Sequence, residues 1–113
     1  MDQYITTRPS DKTWVVRAGG AVIAESRGTV ELSEGDLPPV IYFPREDIAM
    51  MFLEQTSQTS SCPHKGEAVY FSIMAKSYTL ENAGWSYENP KPEAERIKGM
   101  IAFYAKGLTI EQL

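Results

Sequence analysis

Between Trp14 and Leu32 the chain reverses direction twice, and that rhythm fixes the class of structure open to it. Trp14-Val15-Val16-Arg17 and Ala21-Val22-Ile23-Ala24-Glu25-Ser26 are β-prone runs on either side of Ala18-Gly19-Gly20. Gly-Gly supplies the positive φ angles of a tight hairpin turn. Arg27-Gly28 is a second turn, and Thr29-Val30-Glu31-Leu32 alternates as a third strand does. Three strands this close together form a β-meander.

The rest of the chain keeps the same pace. Ser33 to Pro39 is a loop by its turn residues. Val40-Ile41-Tyr42-Phe43 is β-branched and aromatic, and Pro44 stops it. Pro44 suits the first turn of a helix, with Glu46 and Asp47 near its positive end. The spacing of Ile48, Met51 and Phe52 then predicts one short helix over residues 44–54, with Asp47 capping it or complementing its dipole. Gln55 to Ser61 is polar and reads as a linker or an exposed strand. Cys62 to Gly66 is a turn, Ala68 to Ile73 a strand, Ala75 to Ser77 a turn, and Tyr78 to Tyr87 a strand broken at Gly84. Pro90 and Pro92 interrupt the pattern, Glu93 to Ile97 can make one helical turn, and Met100 to Tyr104 is a last strand before a polar end. The expected fold is mainly β, with residues 1–12 as an N-terminal arm and residues 13–113 as a single β-rich domain.

Composition narrows function by exclusion. The 113 residues carry 11 Lys and Arg against 15 Asp and Glu, a net charge of −4. An acidic balance does not suit a general binder of phosphate backbones, so nucleic acid is not an expected partner. Cys62 and His64 are the sole cysteine and histidine, which excludes an intrachain disulfide and any Cys-rich zinc framework. No metal and no cofactor are expected. Neither a signal-peptide pattern at Met1 to Ile5 nor an apolar run of bilayer length, roughly 20 residues, is present, so the reading is a cytoplasmic protein without a membrane role.

The most informative stretch is Cys62-Pro63-His64-Lys65-Gly66-Glu67-Ala68-Val69-Tyr70. It resembles the signature of the family catalogued as domain of unknown function 427. Tyr42-Phe43-Pro44-Arg45-Glu46-Asp47-Ile48 resembles the family's Tyr-x-Pro-x-x-Asp-Val segment. Trp85-Ser86-Tyr87-Glu88-Asn89-Pro90 and Gly99-Met100-Ile101-Ala102-Phe103-Tyr104 resemble its Ala-Trp-x-Tyr-x-x-Pro segment and its closing strand. The similarity spans about residues 14–106. Two positions depart from the pattern: His64 stands where a larger aromatic is usual, and Gly84 where Ala is frequent. The resemblance implies a twisted, tent-like β fold similar to that of methionine-R-sulfoxide reductases, without their zinc, because paired Cys-x-x-Cys ligands are absent. The family is also catalogued as nucleotidyltransferase-like, yet the chain has no Gly-rich phosphate loop and no paired-Asp strand to hold magnesium.

Side-chain chemistry supplies the candidate site. Cys62 is a nucleophile or redox thiol if His64 or Lys65 lowers its pKa; otherwise it is a small buried apolar residue. Lys65 before Gly66 is an anion anchor, or a turn lysine paired with an acid. Glu67 is an acid/base group, or the partner of Lys65, Arg17, Arg27 or Arg45. Tyr42, Tyr70, Trp85 and Tyr87, with His64, line a ligand pocket, or the aromatics simply fill the core. The reading is a small-ligand domain with Cys62, Lys65 and Glu67 as its catalytic groups if it is an enzyme. The alternative is a non-catalytic interaction or oligomerisation module. The ligand is an unidentified small molecule, and the chain is a monomer or a homodimer.

Overall fold

The computed structural model describes residues 4–113. Ten strands form among them: β1 (Ile5–Pro9), β2 (Trp14–Ala18), β3 (Ala21–Ser26), β4 (Val30–Glu34), β5 (Val40–Tyr42), β6 (Leu53–Cys62), β7 (Gly66–Met74), β8 (Thr79–Tyr87), β9 (Ile101–Phe103) and β10 (Thr109–Gln112). They build three antiparallel sheets, ordered β1-β4-β5, β10-β2-β3 and β6-β7-β8-β9. The mainly β expectation holds. No helix among the described residues is long and apolar enough to cross a membrane.

The four-stranded sheet positions everything else, because both of its faces are covered. Alternation along β7 sends Phe71 and Ile73 to one face, where they join Val16, Ile23, Phe43, Ile101 and Phe103 in one apolar cluster. Ala68 faces the other way. There it meets Tyr42, Tyr87, Ala102, Ile97 and the β1–β4 residues Ile5, Val30 and Leu32, with Tyr70, Trp85 and Cys62 packed on the edge of that second cluster. The register pairs Tyr70 with Trp85 and Ala68 with Tyr87, so the aromatic residues of β7 and β8 share one face.

Three local expectations change. The first concerns the arm: Ile5–Pro9 is a strand paired with β4, and Ile5 is fully buried. Second, the single helix expected over 44–54 is two separate 3-10 turns, Arg45–Asp47 and Met50–Phe52, with Leu53 already in β6. Ile48 between them is extended and bridges Ala24 of β3, so sheet pairing wins over helical spacing at a β-branched residue. Asp47 makes no side-chain cap; its carboxylate accepts a hydrogen bond from Ser26 Oγ at 2.6 Å. Third, the polar end contains β10, which pairs with β2. The Gln55–Ser61 stretch is strand, within the ten-residue edge strand β6.

Candidate functional site

The turn between β6 and β7 is built by its own residues. Lys65 N–H donates to Cys62 C=O at 3.3 Å, which puts Pro63 at the position of the β-turn that its fixed φ favours. Gly66 follows at φ +113°, and a Cβ there would sit 3.4 Å from the Asn89 carbonyl oxygen. Only glycine combines that angle with that approach. Lys91 N–H donates to the Lys65 carbonyl at 2.9 Å and locks the turn against the segment after β8.

Lys65 then turns inward. Its Nζ donates to Glu34 Oε1 at 2.7 Å, both side chains are less than a fifth exposed, and the ammonium lies 5.5 Å from the Tyr87 ring centroid. Burial disfavours the ammonium. The hydrogen bond that Lys65 donates to Glu34 and the negative potential of Tyr87, Glu34 and Cys62 outweigh it, and the Lys65 pKa is raised above its ordinary value. Burial raises the Tyr87 phenol despite the opposing Lys65 charge. Tyr42 is fully buried, and burial raises its phenol strongly; its oxygen accepts from Trp85 Nε1–H at 3.1 Å, with the two rings edge to face at 6.3 Å.

On the open side of Trp85 lies Tyr104, with ring centroids 4.4 Å apart and planes at 40°. The Tyr70 hydroxyl shares a 2.8 Å hydrogen bond with Ser60 Oγ. Burial, followed by the neighbouring Tyr70 phenol, raises the Tyr104 phenol. His64 leaves this group: its ring packs on Tyr4 at 4.4 Å. Tyr4 in turn fills the space over Gly35, where a Cβ would stand 2.9 Å from its ring.

The expected residues therefore divide. Tyr42, Cys62, Lys65, Tyr70, Trp85 and Tyr87 gather on one face of β7 and β8. Glu67 does not join them. It is exposed, one position out of phase with Ala68, and Lys65 takes Glu34 instead. Arg17 and Arg45 also bond elsewhere: Arg17 pairs with Glu111, while Arg45 donates to the Gly99 carbonyl at 2.7 Å and pairs with Glu88. Glu34, Ser60 and Tyr104 are the site residues that sequence reasoning passed over. Tyr104 had a usable signal, since alternation from Ala102 puts it on the Trp85 face. The aromatic rings pack against one another, and none of five surface hollows is lined by Cys62, Lys65, Trp85 or Tyr87. Among the described residues no three His, Cys, Asp or Glu side chains gather as metal ligands would.

Fold and site together define a small antiparallel β domain with a mostly buried lysine–glutamate pair beside a tyrosine–tryptophan cluster. The family described as domain of unknown function (DUF427) matches residues 6–112, nearly the whole chain, and the chain belongs to that family. No curated protein matches it.

Proposed function

We propose that this domain binds a small planar molecule on the Trp85 face. The observation that carries the reading is Tyr104. Its side chain is half exposed, it follows the last residue of β9, and its ring covers Trp85. A ligand ring that displaces the Tyr104 phenol inherits the stacking surface of Trp85, and the Tyr70 and Ser60 hydroxyls lie at its edge. An aromatic pair is worth about 0.5–1.5 kcal/mol beyond its burial, a cost that a planar ligand recovers by stacking in turn. The Lys65–Glu34 pair braces the floor through Tyr87. The reading is of binding, because the Glu67 carboxylate faces away from the lysine and thiol with which an acid/base step would have to be shared.

The test uses a Trp14→Phe background, which leaves Trp85 as the sole tryptophan. Adenosine and p-hydroxybenzoate serve as planar probes, and emission reports stacking. We expect saturable quenching, tightened up to about tenfold by Tyr104→Ala, which removes the competing ring. Unchanged Trp85 emission in both backgrounds, with no small molecule retained in native mass spectra of the purified protein, overturns the proposal.

A second reading rests on β6. This edge strand is mostly exposed and uncharged from Gln55 to Cys62, and it offers its free backbone groups to a second copy of the chain. Light scattering after size exclusion distinguishes the two readings: a stable dimer that Thr59→Pro dissolves favours the edge, and a monomer that quenches on titration favours the Trp85 face.

A further inference from the structure

On the other apolar cluster, away from Trp85, the tips of two hairpins enclose a cavity of about 620 Å³. Its walls are Ala21 and Ile23 of β3, Phe52 of the second 3-10 turn, and Met74 and Tyr78 at the β7–β8 turn. Tyr78 ties the tips together, since its hydroxyl lies where a Cβ on Gly19 would be 3.2 Å away. Met74 and Tyr78 are each more than two-fifths exposed, so the apolar lining continues to the rim. One charged side chain borders the cavity, Lys76. The lining holds no carboxylate, and among the described residues Lys76 makes no ion pair.

We propose that this cavity binds an amphiphilic carboxylate, such as a free medium-chain fatty acid, with its alkyl chain against Ile23, Phe52 and Met74 and its carboxylate on Lys76. The volume falls in the range of small-molecule sites, and the lining has the expected composition of a mostly apolar wall with one polar group to orient the ligand. The Lys76 cation selects the charge of the head group, and the apolar walls select the tail. A chain taken out of water gains with each methylene buried, so affinity rises with length until the cavity is full.

The experiment is a titration of the full chain, followed by amide NMR, with hexanoate, octanoate and decanoate below their aggregation concentrations. We expect shifts confined to residues 18–23, Phe52 with its neighbours, and residues 74–78, and a gain of about fourfold in affinity per methylene. Lys76→Gln weakens octanoate binding several-fold and leaves octanol binding unchanged. Gly20→Trp, at a position where an added Cβ meets nothing within 4 Å, fills the mouth and abolishes both. Absence of shifts with decanoate overturns the proposal. So do shifts in the same residues that depend on protein concentration alone, which would assign the face to a second copy. Binding to phosphatidylcholine vesicles without binding to soluble decanoate overturns it as well. None of these outcomes touches Trp85, so failure here is separable from failure of the planar-ligand reading.

Discussion

Lys65 leaves solvent to meet Glu34, 31 residues away in the chain, while Glu67 two positions on stays in water. Sequence proximity favoured Glu67 as the partner, but strand alternation turns its carboxylate away from the cluster that Ala68 and Tyr70 enter. Nothing in the loop-like run from Ser33 to Pro39 marks Glu34 as a partner, because that contact exists only once β4 and the β6–β7 turn are side by side. The aromatic set was readable, since Trp85 and Tyr87 two apart on a strand must share a face. A mostly buried pair is costly to break on one side only, for the remaining charge loses its partner but not its burial. Lys65→Met is expected to cost about 3 kcal/mol by urea unfolding at neutral pH, and Lys65→Met with Glu34→Gln clearly less than the sum of the two single changes. Additive costs would show that the 2.7 Å contact carries no coupling.

Strands that fill the core announced themselves in the sequence, and strands that decorate it did not. β3, β5, β7 and β9 carry runs of apolar residues that alternate or are buried on both sides. β1 offers one buried side chain, Ile5, and β10 one half-buried side chain, Ile110, and such patterns are indistinguishable from polar loop. The helical spacing of Ile48, Met51 and Phe52 was coincidental: Ile48 pairs with β3, and Met51 is almost fully exposed. For β1 the two kinds of contact can be weighed against each other. Ile5 is 1% exposed within the second cluster, whereas the Arg8–Glu31 pair has its arginine 74% exposed. Ile5→Ala is expected to cost about 3 kcal/mol, as buried isoleucine truncations do, and Arg8→Ala less than about 0.5 kcal/mol, as exposed ion pairs do. Chemical denaturation of both variants checks the ranking, and equal small effects would return residues 5–9 to the status of an arm.

At the scale of the molecule, two apolar clusters share one sheet, and the second is closed by phenols instead of hydrocarbon alone. Burial is the leading cause that raises Tyr42 and Tyr87, while Lys65 is raised because its partners outweigh its burial. All three shifts have the same sign in linkage. The folded chain keeps protons that the unfolded chain releases above the ordinary tyrosine value of 10.0 and lysine value of 10.5. The stability these groups contribute is therefore whole below about pH 9 and declines as pH rises through the range where only the unfolded state ionises. Tyr42 is the decisive group because it is fully buried. Each pH unit above its unfolded value removes about 1.4 kcal/mol on its account alone. Tyr42→Phe deletes that dependence but leaves Trp85 Nε1–H without its acceptor, at a cost of about 1–2 kcal/mol near neutrality. Urea midpoints followed between about pH 8 and pH 11 should thus fall steeply for the native chain and less steeply for Tyr42→Phe, so that the two curves converge at the alkaline end. Parallel curves would mean that the Tyr42 phenolate finds water in the folded state, and that the closed floor beneath Trp85 opens.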